Sequence, residues 1–152
     1  NPMYSEFLSG DKLKQPRTII DFIPFGYDLD KLEIRLYENF DIIDAFVIFE
    51  SPITQTGIIK PLLFNLVRNS ERFQIFSEKI IYLTATRDEM IETAILINSV
   101  DSHLPTSTIK KDFKWTEQNW GLERAMRVLM MKKFQELPSN HEQYHLQQSH
   151  LQ

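Results

Sequence analysis

Cysteine is absent from the 152 residues. A disulfide framework, a cysteine-type zinc site and a thiol nucleophile are therefore excluded, while the redox compartment stays open. Positive charge is not in excess. Seventeen Lys and Arg stand against 21 Asp and Glu, a net charge of -4, which argues against nucleic acid as a partner. No apolar run approaches the roughly 18 residues that cross a bilayer, so no membrane segment is expected in this chain. The opening residues, Asn1-Pro2-Met3-Tyr4, have no charged-then-apolar signal pattern. They also lack an initiator Met, and the chain is expected to be a trimmed piece whose longer form could carry an anchor elsewhere. There is no internal repeat. A hydrophobic fraction of 42% rules out a disordered chain, and the length suits one domain with a real core.

Hydrophobic periodicity divides the chain into alternating elements. Residues 1–17 form a polar lead-in. Thr18 to Ile23 is β-branched and apolar, a buried strand that Pro24 and Gly26 are expected to stop. Asp28 is placed to cap a helix, in which Leu29, Leu32, Ile34, Leu36 and Tyr37 recur at helical spacing. Asp44 to Glu50 is almost continuously apolar and ends in a carboxylate, the pattern of a buried parallel strand. Ser51 to Lys60 is a polar loop, and Pro61 suits the first turn of a helix through Leu66, Phe73 and Phe76. Lys79 to Leu83 is a third strand. Asp88 to Val100 reads as a helix, Asp101 to Asp112 as a loop, and Trp115 to Leu137 as the longest helix. Residues 138–152 are a Gln- and His-rich tail.

Strand, helix, strand, helix, strand is the repeat of an α/β fold with an open, mainly parallel sheet and flanking helices. Ligands of such sheets bind beyond the carboxyl ends of the strands. Asp21 and Glu50 are expected near those ends, within reach of a sugar or ribose hydroxyl. Each has a plainer reading as a loop carboxylate that caps nearby amides.

The residues from Thr18 to Tyr82 resemble glycosyltransferase family 17. Asp21-Phe22-x-x-Phe25, Leu29-Asp30-x-Leu32-Glu33-Ile34-Arg35-Leu36 and Val47-Ile48-Phe49-Glu50-Ser51 carry the likeness, followed by Thr56-Gly57-x-x-Lys60-Pro61-Leu62, Arg72-Phe73 and Lys79-Ile80-Ile81. The family adds a bisecting N-acetylglucosamine to the core mannose of N-glycans. The resemblance therefore implies a GT-A-like (Rossmann-like) half domain over residues 18–137, a nucleotide-sugar donor, a glycan acceptor and the Golgi lumen. Further on, the family has a Trp shortly before a Gln-Arg-Asn on a helix. Here Trp120 and Glu123-Arg124-Ala125 stand in comparable places, with the Arg retained.

The likeness has one departure. The family continues with an element like Asp-Val-Asp-Glu-Ile-Pro, whose aspartates resemble a pair holding a divalent ion, Mn or Mg, on the donor diphosphate. This sequence has no Asp after Asp112. The expectation is that the chain stops before the motif or has lost it, and that these residues alone are inactive. The rival to an enzyme is a non-catalytic module of the same family that binds a glycan or acts as a scaffold.

Asp21, Glu50, Lys60 and Arg124 are the candidates for donor binding. Lys60 offers a point charge to a phosphate, although a solvated Lys before a helix is the commoner situation. Arg124 can pair with phosphate through two parallel bonds, or form a helix-surface salt bridge. Glu123 cannot be that partner, because adjacent helix positions do not face each other. In the tail, His141-Glu142-Gln143-Tyr144-His145 fits the H-E-x-x-H pattern of zinc peptidases. The segment has almost no apolar face to bury such a helix, so a solvated tail with a chance match is expected over a zinc hydrolase built on His141, Glu142 and His145.

Overall fold

The computed structural model describes residues 17–102 and 120–138. Its central strand is the apolar run before Glu50. Ala45–Glu50 is buried at all six positions, as a parallel strand covered on both faces must be. Ile20–Phe25 pairs with it on one side and Ile80–Thr84 on the other, both in parallel. In chain order these are β1 (Ile20–Phe25), β2 (Ala45–Glu50) and β3 (Ile80–Thr84), and they lie in that order in the sheet. The helices are α1 (Leu29–Asn39), α2 (Leu63–Val67), α3 (Glu71–Gln74), α4 (Arg87–Ser102) and α5 (Gly121–Gln135), with a 3-10 turn at Ser77–Lys79. The expected open parallel α/β half domain is thus the fold the chain adopts.

Alternation along β2 splits the core. Phe46 and Ile48 join Ile23, Phe25, Leu32, Leu36, Phe64, Phe73 and Phe76 on the α1–α3 face. Val47 and Phe49 join Leu83, Met90, Ala94, Leu122, Ala125, Leu129 and Met130 on the α4–α5 face. Each large side chain buried this way contributes about 1.5–3 kcal/mol, so β2 anchors both layers.

Local signals set the helix ends. The Asp28 carboxylate accepts from the Lys31 amide at 3.0 Å and caps α1. That bond, with the Lys31 side chain, holds the Asp28 pKa below its ordinary value. The far end of α1 is closed by Lys79, whose ammonium donates to the carbonyls of Phe40 and Ile43. A capping box opens α4: the Thr86 amide donates to Glu89, and the Glu89 amide donates to the Thr86 hydroxyl.

Several expectations shift. Pro24 does not stop β1 but lies inside it, opposite Phe49. It is tolerated because β1 has a neighbour on one side only among the described residues, and its missing N–H faces the open edge. Ile34 and Tyr37 stand on the exposed side of α1, which buries Leu32 and Leu36 instead. The single helix expected from Pro61 onward is broken into α2 and α3 by Asn69 and Ser70. Pro61 precedes the first of these rather than starting it. Asp101 belongs to α4, not to a loop, and α5 begins at Gly121. The lead-in before Arg17, the loop from His103, Trp115 to Asn119, and the tail from Ser139 lie outside the described residues.

Candidate functional site

β2 delivers Glu50 to the carboxyl end of the sheet. The two-residue period puts its side chain on the face of Phe46 and Ile48, and it is fully buried there. An unpaired carboxylate in that place would cost several kcal/mol. Glu50 is instead surrounded by donors. Oε1 accepts from the Phe64 amide at 3.1 Å, and Oε2 accepts from the Asn65 amide at 3.2 Å and the Tyr82 hydroxyl at 3.2 Å. Phe64 and Asn65 lie in the first turn of α2, where amides have no helical partner. The residue at the cap, Leu62, has no side-chain acceptor to offer. Glu50 therefore caps α2 from 14 residues away, and its charge suits the positive end of the helix. Burial, then the neighbouring carboxylate, push the Tyr82 phenol up to about 12. Thr84 locks the adjacent backbone by donating to the Glu50 carbonyl at 2.7 Å.

Lys60 completes the cluster. The loop after β2 folds back through a bridge between Ile53 and Ile59 and a turn at Gly57, whose φ of 81° favours glycine. The Lys60 amide then donates to the Pro52 carbonyl at 2.9 Å. This carries the Lys60 side chain inward, where it is 7% exposed, with Nζ 3.6 Å from Glu50 Oε1. That separation makes an ion pair but is too long for a hydrogen bond. The ammonium also lies 5.3 Å from the centre of the Tyr27 ring. Among the described residues it has no hydrogen-bond acceptor. Burial pulls its pKa below the ordinary lysine value, and Glu50 opposes the shift. The expectation of a solvated lysine is thus corrected: the folded-back loop makes Lys60 a buried one.

Asp21 is not where strand ends were expected to place it. It is the second residue of β1 and pairs with Phe46, whereas Glu50 pairs with Phe25. Four strand positions, about 13 Å, separate the two levels of the sheet. The error follows from β1 running on through Pro24 to Phe25. Asp21 instead accepts two bonds from Arg35, at 2.8 and 2.6 Å, which tie α1 to β1 and raise the guanidinium pKa. Arg124 is exposed on α5, whose buried residues pack on the opposite face of the sheet from Glu50. Of the four candidates the structure brings together Glu50 and Lys60, and leaves Asp21 and Arg124 apart from them.

Tyr82, Tyr27 and the α2 amides escaped the sequence reading. Tyr82 sits opposite Ile48, two positions before the Thr84–Glu50 pair, so the strand register alone brings it under Glu50. Among the described residues no group of three or more His, Asp or Glu is placed to hold a metal ion. The oxygens of Glu50 are already engaged, and the described residues do not fit a hard cation that needs several oxygen ligands. The histidine motif of the tail lies outside the described residues. No described helix is long and apolar enough to cross a membrane.

The family described as "Glycosyltransferase family 17" matches residues 5–150. The chain is 34% identical over 68 residues to the beta-1,4-mannosyl-glycoprotein 4-beta-N-acetylglucosaminyltransferase of Rattus norvegicus, covering 45% of this chain and 13% of that protein. The Homo sapiens enzyme of the same name is also 34% identical, and the Mus musculus one 32%, over stretches of the same length and coverage. The match thus spans about an eighth of those relatives, 13% of their length. No solved structure matches the chain.

Proposed function

The chain belongs to glycosyltransferase family 17, and from that premise we propose that the protein transfers a sugar from a nucleotide-diphosphate donor to a hydroxyl of a glycan. The sugar is N-acetylglucosamine, the donor its uridine diphosphate ester, and the acceptor the core mannose of an N-glycan. N-acetylglucosamine and a mannosyl acceptor are supported by the relatives' name, whereas the uridine diphosphate donor and the N-glycan core rest on family likeness alone. The observation that carries the reading is the family match across residues 5–150. It is supported by a built polar cluster at the carboxyl ends of parallel strands, where α/β sheets take their ligands.

In this reading the acceptor hydroxyl attacks the anomeric carbon with inversion, its proton passes to a general base, and the nucleoside diphosphate leaves with the electrons of the broken bond. Glu50 holds the start of α2 rigid beside the strand ends, and Lys60 sets a positive charge there. Neither is assigned as the catalytic base. A divalent ion, Mn or Mg, belongs to the same proposal as the group that neutralises the leaving diphosphate. The described residues do not supply its ligands, so none of them is given that role. Work in the Golgi lumen is also part of the proposal and rests on family likeness alone.

The test is calorimetry of the purified protein with uridine and guanosine sugar nucleotides, with and without manganese, followed by mass analysis of an N-glycan acceptor. Uridine diphosphate N-acetylglucosamine should bind, and the acceptor should gain one N-acetylhexosamine. No heat with any donor would sink the proposal. Binding without transfer would favour the non-catalytic module.

A further inference from the structure

The Lys60 ammonium is buried with no acceptor of its own among the described residues. Such a group is costly to keep unless something answers it. Glu50 is only a partial answer. It already takes three hydrogen bonds from Phe64, Asn65 and Tyr82, and stands 3.6 Å away. A second cation is close by, since the Arg68 guanidinium lies 4.9 Å from the Tyr82 ring that donates to Glu50. Among the described residues the cluster thus sets buried Lys60 and, across the Tyr82 ring, exposed Arg68 around the Glu50 carboxylate. On its remaining side the ammonium meets the ring of Tyr27, a residue 60% exposed. The largely exposed Tyr27 ring therefore lies over the ammonium.

The geometry points to Lys60 as an anion-binding residue that takes an oxygen of a ligand's diphosphate when the Tyr27 ring turns aside. The ligand class is a diphosphate ester, and the inference rests on the donor proposed above. An ammonium with unused donors forms charge-assisted bonds to phosphate oxygen without reorganising its stem. The Glu50 carboxylate keeps that stem in place from the other side. Lys60 is thereby a binding residue, and Tyr27 a cover.

The experiment uses the full chain and inorganic pyrophosphate, with uridine and uridine diphosphate as companion probes, by calorimetry. Wild type should bind pyrophosphate and uridine diphosphate. Lys60→Met should lose about tenfold or more for both, the loss of one charge-assisted bond, and leave uridine unaffected. Its melting temperature should change little, because the buried charge removed is only partly answered and Glu50 keeps its three hydrogen bonds. Lys60→Arg should restore part of the affinity. Tyr27→Ala should bind pyrophosphate at least as tightly as wild type. An unchanged pyrophosphate affinity in Lys60→Met would overturn the inference, as would no binding by wild type or a parallel loss for uridine. If Lys60-dependent pyrophosphate binding holds and sugar transfer fails, the inference stands and the proposed activity falls.

Discussion

On the α4–α5 face of the sheet, Val47 and Phe49 are covered by Met90, Ala94, Leu122, Ala125, Leu129 and Met130, apolar side chains throughout. On the α1–α3 face the same strand presents Phe46 and Ile48 to an apolar layer and then ends in a fully buried carboxylate. The first face is closed by the hydrophobic effect, which is non-directional and tolerates rearrangement. The second is closed at its carboxyl end by directed bonds between residues 14 and 32 positions apart. The difference teaches where a charge can be buried in such a fold: where a helix start offers free amides within reach of a strand end. It also shows why the polar cluster lies on one face only. No strand end on the α4–α5 face meets the first turn of a helix in this way among the described residues. Glu89 serves α4 instead, bonded to Thr86 and, at 2.8 Å, to Lys133 of α5 at the partly exposed rim.

The contrast can be broken most severely at Glu50. Glu50→Ala strands two amides, a phenol and an ammonium, and should cost about 3–5 kcal/mol in urea unfolding. Combined with Lys60→Met it should cost less than the sum, by about 0.5–3 kcal/mol. In the single variant the Tyr82 phenol should ionise at lower pH than in wild type, as read by absorbance. A small, additive loss would show that the directed bonds do not hold this face. Leu129→Ala probes the apolar face. Cavity formation should cost about 2–5 kcal/mol, equally at pH 5 and pH 8, and a marked pH dependence would contradict a purely apolar closure.

Glu89→Ala tests the rim, with an expected loss of about 0.5–2 kcal/mol from the lost cap. Its sign with pH follows from the bond to Lys133, and then that to the Thr86 amide, which hold the Glu89 carboxyl below the ordinary 4.5. A lowered folded value means that the stabilisation is full above the unfolded value and fades as pH falls through the folded one. Wild type and variant should therefore converge in acid, as measured by unfolding at pH 7 and at pH 3. A gap that widens in acid would refute the assignment. Arg35→Lys should have the smallest effect. It exchanges the two-bond contact of a half-exposed Arg35 with Asp21 for a single point charge, a loss of about 0.2–1 kcal/mol in thermal melts. A larger drop would mean that α1 depends on that tie more than on Leu32 and Leu36.

Much of the architecture was legible because its causes are local. The unbroken run from Ala45 to Phe49, short and rich in β-branched and aromatic residues, reads as a strand buried on both sides, and Asp28 before Leu29 and Leu32 is a helix start. Thr86-x-x-Glu89 was equally legible as a capping box, and went unread behind a helix placed one residue too late. Pro24 misled because proline is a stop signal in the interior of a sheet and not at its edge. Ile34 and Tyr37 misled because a helix of 11 residues here buries a stripe too narrow to take every apolar position. Asn69-Ser70 broke the expected single helix at residues whose side chains compete with helical hydrogen bonding.

What the amino-acid order determined by itself was the succession of strands and helices, the parallel α/β class and the family likeness carried by residues 18–82. Each depends on spacing along the chain, which folding does not alter. Only the tertiary structure decided that Asp21 lies four strand positions before the carboxyl end of the sheet, that Glu50 caps a helix, and that Lys60 is buried beneath Tyr27. Those facts depend on strand register and on the path of a ten-residue loop from Ser51 to Lys60. Burial and ion pairing between distant residues are properties of the packed chain, and no local pattern encodes them.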